Sequence, residues 1–129
     1  MSGFGEGFGV GFGVLAGLME QRFNTLADLR GEDILVIAKT QVGTDPYGDP
    51  IYTETSMATK GFAEQIRTRD RQLLAGELAQ TDMVFRLKRS TVITERGHEL
   101  EYLSKRYKIV GSIEYQLSHI TVYGERKVS

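Results

Sequence analysis

The sequence contains no cysteine and no tryptophan, and only two histidines and two prolines in 129 residues. The absence of cysteine excludes disulfides, thiolate metal ligands and cysteine nucleophiles. With two histidines, the sequence has few candidate residues for a structural zinc site or for histidine-dependent catalysis. We therefore expect a protein that is not an enzyme and that carries no metal and no cofactor.

Long apolar runs and a strong charge of one sign are also missing. No run approaches the roughly 20 apolar residues that span a bilayer, and the first residues lack the basic and apolar regions of a signal peptide. The net charge of −1 argues against a strongly basic nucleic-acid binder. The length and ordinary composition predict one globular domain in an intracellular, reducing compartment, without membrane contact.

Glycine is abundant at one end only, because seven of the 15 glycines fall in residues 1–17. Residues 3–14 place a glycine at every odd position, with Phe4, Phe8 and Phe12 between them. Each glycine costs a helix about 1 kcal/mol relative to alanine, which favours an extended arm over residues 1–13. Such an arm reaches about 40 Å, so it can dock on a neighbouring subunit. A disordered tail and a membrane-active peptide are the alternatives.

Residues 14–30 predict an amphipathic helix that Gly31 ends. Its apolar positions recur at helical spacing. This packing face consists of Leu15, Leu18, Met19, Phe23 and Leu26. The spacing allows this face to pack either on the domain's own core or on a partner subunit.

The pattern of the remaining residues, 31–129, predicts a small β domain. β-Branched runs predict strands at 34–40, 51–67 (bent, with a break near Gly61), 83–88, 107–110 and 113–123, and residues 43–50 are rich in turn-forming residues. We expect a mainly β fold, a small barrel or sandwich of five to six strands preceded by one helix. Residues 67–82 form a long excursion between strands, and such length is typical of a functional segment.

Basic residues are concentrated in the second half of the chain. Residues 1–66 carry a net charge of −5 and residues 67–129 a net charge of +4. Arg67, Arg69 and Arg71 would face one way in an extended segment. Acidic residues lie between the basic groups, so the pattern predicts at most non-specific contact with a DNA backbone, and a solvated, salt-bridged surface is the alternative.

The other polar residues do not form a pattern typical of a catalytic or ligand-binding site. His98, beside Gly97 in a predicted turn, and His119, in a predicted strand, are 21 residues apart and are interpreted as structural or solvated. Glu99 and Glu101 share a face if their segment is extended, and we interpret them as a solvated edge. The N-terminal glycines lack the strand context of a dinucleotide-binding motif.

The order of these pieces resembles the small head-tail connector proteins of tailed bacteriophages, in the head-closure or stopper class. The resemblance covers residues 20–123 and depends on order and spacing. Its features are Gly31-Glu32-Asp33, Asp45-Pro-Tyr-Gly-Asp-Pro50, Thr59-Lys-Gly-Phe62, Arg69-Asp-Arg71 with Gly76, Leu78, Gln80 and Asp82, then Gly97, and Tyr107-Lys-Ile-Val-Gly111. The Gly-Phe arm is not part of the family pattern.

The resemblance implies a virion structural protein that forms a ring, with a hexamer favoured, between portal or adaptor and tail. It implies partners among the portal, adaptor and tail proteins, assembly in the host cytoplasm, and a loop toward the channel that helps to close it and retain DNA. In this sequence that loop is 67–82, with Arg67, Arg69, Arg71, Gly76 and Gln80 nearest the DNA. A small-barrel nucleic-acid-binding protein is the alternative function.

Overall fold

The structure of the protein, a computed structural model, describes residues 2–67 and 76–127, and only the backbone of residues 2–13 and 77. The described residues form one α-helix, one 3-10 helix and six strands. In chain order these are α1 (Ser2–Arg30), β1 (Glu32–Thr44), β2 (Pro50–Gln65), the 3-10 helix (Gly76–Gln80), β3 (Met83–Lys88), β4 (His98–Tyr102), β5 (Lys105–Tyr115) and β6 (His119–Arg126). The predicted mainly β fold is confirmed.

The strands form one antiparallel sheet that closes on itself in the order β1, β2, β3, β6, β5, β4. Strand alternation directs one set of side chains into the closed sheet and the other set outward. Phe85 lies at the centre of the core, with its ring centroid 5.3 Å from that of Tyr107 and 6.1 Å from that of Tyr102. The other large apolar side chains that are fully buried are those of Ile34, Leu87, Leu100, Ile120 and Val122.

The first two strands extend well beyond the barrel. β1 pairs with β2 along its whole length, but it pairs with β4 only over Leu35–Ala38, and β2 pairs with β3 only over Gly61–Gln65. Residues 40–44 of β1 and 50–60 of β2 therefore have no strand on their outer edges, and we call residues 40–60 the projecting hairpin. The predicted turn ends it: the Asp45 Oδ1 accepts hydrogen bonds of 2.9 Å from the backbone N–H groups of Tyr47 and Asp49, and Gly48 has φ +87°.

Four local predictions are wrong. The helix includes residues 2–13, where we predicted an extended arm. Helix propagation adds one backbone hydrogen bond per residue once a nucleus exists, and a spacing of four between phenylalanines fits a helix as well as a strand. Residues 98–102 form β4, so His98 is not in a turn, and the predicted strand 113–123 is divided between β5 and β6.

The fourth wrong prediction is the break near Gly61, where β2 continues without interruption. A Cβ atom at this position would overlap the carbonyl oxygen of Arg86 on β3. The glycine therefore allows a close approach between neighbouring strands.

Candidate functional site

The predicted DNA-proximal loop joins β2 to β3 at one end of the barrel. The backbone N–H of Ile66 donates to the carbonyl oxygen of Asp82 over 3.0 Å, which holds the two ends of the loop together. Arg67 and Gln80 are exposed near these ends, and Gly76 begins the 3-10 helix with φ +61°. Arg69 and Arg71 lie outside the described residues.

This barrel end carries several exposed cations, and the acidic side chains of Asp82 and Glu125 line the same groove. Because alternate strands run in opposite directions, the end of β2, the start of β5 and the end of β6 meet there. Arg67, Lys105 and Arg126 are exposed, and none of them forms an ion pair with another described residue. Lys105 and Arg126 line one groove together with Gln65.

Arg126 is the functional candidate that the sequence analysis did not identify. It lies 59 positions after Arg67 in the chain. Only the pairing of β6 with both β3 and β5 brings it to the same barrel end.

An ion-pair network covers the outer wall of the barrel near the base of the projecting hairpin. Glu99 accepts hydrogen bonds from the Lys127 Nζ at 2.7 Å and the Arg106 Nη1 at 3.0 Å, and the Lys39 Nζ lies 3.2 Å away. The Arg106 Nη1 also lies 3.2 Å from Glu54 on β2. The network therefore joins the hairpin to β4, β5 and the segment after β6.

Burial alone would raise the pKa of Glu99, but the hydrogen bonds from Lys127, Arg106 and Lys39 outweigh it, so this pKa lies below its ordinary value. The hydrogen bond from Arg106 likewise lowers the pKa of Glu54. Glu99 is thus a charged, largely covered group, and our prediction that it forms a solvated edge is wrong.

The histidines are both engaged in local contacts. The His119 ring stacks on Phe23 with centroids 4.9 Å apart, and its burial lowers its pKa. The backbone N–H of Thr94 lies 3.0 Å from the His98 Nδ1. No group of three or more acidic, histidine or cysteine side chains that could hold a metal ion occurs among the described residues.

The predicted packing face of α1 is divided between the barrel and solvent. Phe23 contacts Phe62 edge to face, with centroids 5.7 Å apart. Ala27, which we did not predict, is fully buried. Asp28 forms an ion pair with Lys88 on β3. The other predicted residues, Leu15, Leu18, Met19 and Leu26, are exposed, so they do not pack on the chain's own core. The side chains of Phe4, Phe8 and Phe12 lie outside the described part of the chain.

The projecting hairpin is the second surface with uncovered apolar side chains. Both edges of the hairpin are free, because neither strand has a further partner beyond the barrel. Its exposed apolar residues are Val42, Tyr47, Ile51, Tyr52 and Met57. Free strand edges of this length offer backbone hydrogen-bonding groups to another chain.

Among the described residues, no helix combines the length and the apolar character needed to cross a membrane.

The fold is similar to that of protein SF1141 from Shigella flexneri 2a, whose structure was determined in solution. The two chains share 12% identity, with a TM-score of 0.62 over 78% of this chain and 96% of the other. At this identity the likeness shows the fold alone. No protein-family model and no curated protein matches the chain.

Proposed function

We propose that this protein is a non-enzymatic structural component of the phage virion, in the neck ring that connects the head to the tail. The observation that carries the proposal is a closed barrel with two elements, α1 and the projecting hairpin, whose apolar side chains its own core leaves uncovered. Large exposed apolar patches mark contacts with other proteins. A barrel with two such elements suits a subunit that contacts neighbours on more than one side.

The basic end of the barrel supports a position beside packaged DNA. In the proposed ring, residues 67–82 face the channel, and Arg67 with Gln80 mark the ends of that loop. Lys105 and Arg126, which form no ion pair with another described residue, add positive charge at the same barrel end. Contacts of this kind neutralise phosphates without reading sequence, as a DNA-retaining channel requires.

The assembly part of the proposal is tested with the purified protein. We expect light scattering to show a ring, alone or with its cognate neck proteins, and mass spectrometry to find the protein in purified virions. A protein that stays monomeric with those partners, or is absent from virions, contradicts the proposal.

The DNA-retention part is tested by replacing Arg67, Arg69 and Arg71 with glutamine in the virion. We expect fewer DNA-filled particles, because three positive charges leave the channel. Arg96→Gln is the control, since Arg96 is exposed before β4 at the opposite end of the barrel. Equal DNA content in the wild-type virus, the triple variant and the Arg96→Gln control would contradict this role of the loop.

A small barrel that binds nucleic acid inside the cell is the second candidate. Three exposed cations at one barrel end favour it, since Arg67, Lys105 and Arg126 form no ion pair within the described part of the chain. A gel shift at physiological salt separates the two functions. Micromolar affinity with a steep salt dependence, reduced by Lys105→Gln with Arg126→Gln, would favour the second candidate.

A further inference from the structure

The exposed face of α1 forms one apolar stripe beside the face that packs on the barrel. At about 100° per residue, five side chains fall within an arc of roughly 120°. These are Val14, Leu15, Leu18, Leu26 and Leu29, with exposed fractions between 47% and 77%. Arg22 lies within this arc and Arg30 beside it, both exposed and without an ion pair to any described residue.

The projecting hairpin offers a surface of similar length and opposite free charge. Ile51 and Met57 lie on the same face of β2, and Met57 pairs with Val36, whose side chain lines the core. This face therefore continues the core-lining face of the barrel into solvent. At its tip, Asp45 and Asp49 are carboxylates that form no ion pair within the described chain.

The two surfaces are similar in length. Residues 14–30 of a helix span about 24 Å, and residues 50–58 of a strand span about 26 Å. The apolar residues of both surfaces are exposed in the single chain, so the stripe and the hairpin do not cover each other there.

We infer that the apolar stripe of α1 in one copy of the chain packs on the projecting hairpin of a second copy, with Arg22 and Arg30 near the Asp45 and Asp49 carboxylates. This inference rests on the proposed function for the existence of the ring and specifies the contact that builds it. The two surfaces are different, so each copy offers one helix and one hairpin, and repetition of the contact around an axis closes a ring.

The experiment uses two full-length variants. The helix variant carries Leu15→Asp and Leu18→Asp, and the hairpin variant carries Ile51→Asp and Met57→Asp. All four residues are exposed, so the barrel should keep its thermal melt. Val92→Asp is the matched control, because Val92 is an exposed apolar residue outside both surfaces.

Analytical ultracentrifugation of each variant and of their mixture tests the contact. We expect wild type and the control to form rings, and each variant alone to be monomeric, with a dissociation constant raised at least about 100-fold. An equimolar mixture should form dimers and no larger species, because each pair retains one intact helix and one intact hairpin. Arg22→Glu with Arg30→Glu should raise the dissociation constant about tenfold at low salt and less at high salt.

Other outcomes overturn the inference in distinguishable ways. A hairpin variant that still dimerises would show helix packing on helix, and a helix variant that still dimerises would show hairpin packing on hairpin. Rings retained by both variants would exclude this contact while the proposed function stands. A wild-type protein that stays monomeric with its neck partners but binds lipid vesicles through α1 would overturn both.

Discussion

The first two strands belong to two different environments although they stay paired throughout. Inside the barrel, β1 places Ile34 and Val36 in the core. Beyond Ala38, the same strand keeps its pairing with β2 but has no second neighbour, and residues 40–44 are exposed. Burial of these side chains therefore depends on sheet closure and not on strand formation.

The helix shows a similar division between two of its faces. One face contacts the barrel through Phe23, Ala27 and Asp28, while Leu15, Leu18, Leu26 and Leu29 on the neighbouring face are exposed. The barrel is therefore the stable unit, and the projecting parts present surface to other molecules.

The largest expected difference between the two regions comes from truncating one apolar side chain in each. Leu100→Ala removes a fully buried side chain, and we expect the free energy of unfolding to fall by about 3 kcal/mol. Met57→Ala on the projecting hairpin should change it by less than about 0.5 kcal/mol. Urea denaturation of both variants measures this. Equal losses would show that the hairpin is part of the core.

A smaller effect is expected where the two regions are joined. Glu99→Gln leaves Lys39, Arg106 and Lys127 without their shared carboxylate, and we expect a loss of about 2 kcal/mol in denaturant unfolding. Glu101→Gln is the control, since Glu101 on the same strand forms none of these ion pairs. If both variants unfold at the same urea concentration, the network does not stabilise the fold.

The smallest effect concerns pH and the contact between α1 and the barrel. Because burial lowers the pKa of His119, the folded state binds fewer protons than the unfolded state near pH 6. Stability should therefore fall as the pH drops from the ordinary value of 6.5 toward the lower folded value. His119→Gln should remove this part of the pH dependence of unfolding. A wild-type profile that is flat between pH 7.5 and 5.5 would contradict the assignment.

Strand positions were predictable where turn-forming residues such as proline and glycine mark the ends of the strands. Residues 43–50 contain both prolines and Gly48, and they form the predicted hairpin turn. The β4–β5 hairpin was missed because its two-residue turn uses Leu103 and Ser104, both at positive φ, where glycine or asparagine is usual. No local signal marks that turn.

The candidate site was predictable only in part. Arg67 was identified from its place at the start of a long excursion, and Arg126 was missed because its position depends on β6 closing the sheet. The helical spacing of Leu15, Leu18 and Leu26 did not predict whether they pack on the chain's own core or face away from it. An amphipathic pattern identifies an apolar face of a helix but not what that face contacts.

Four features follow from the sequence alone: the class of the fold, the helix end at Gly31, the turn before Pro50 and the length of the segment between β2 and β3. These features depend on local backbone preferences and on the alternation of neighbouring side chains. The closure of the sheet, the gathering of Glu99 with its three cations and the exposure of the α1 stripe were decided by the tertiary structure. They depend on which distant strands pair. The free energy that stabilises this pairing comes from contacts between residues far apart in the chain.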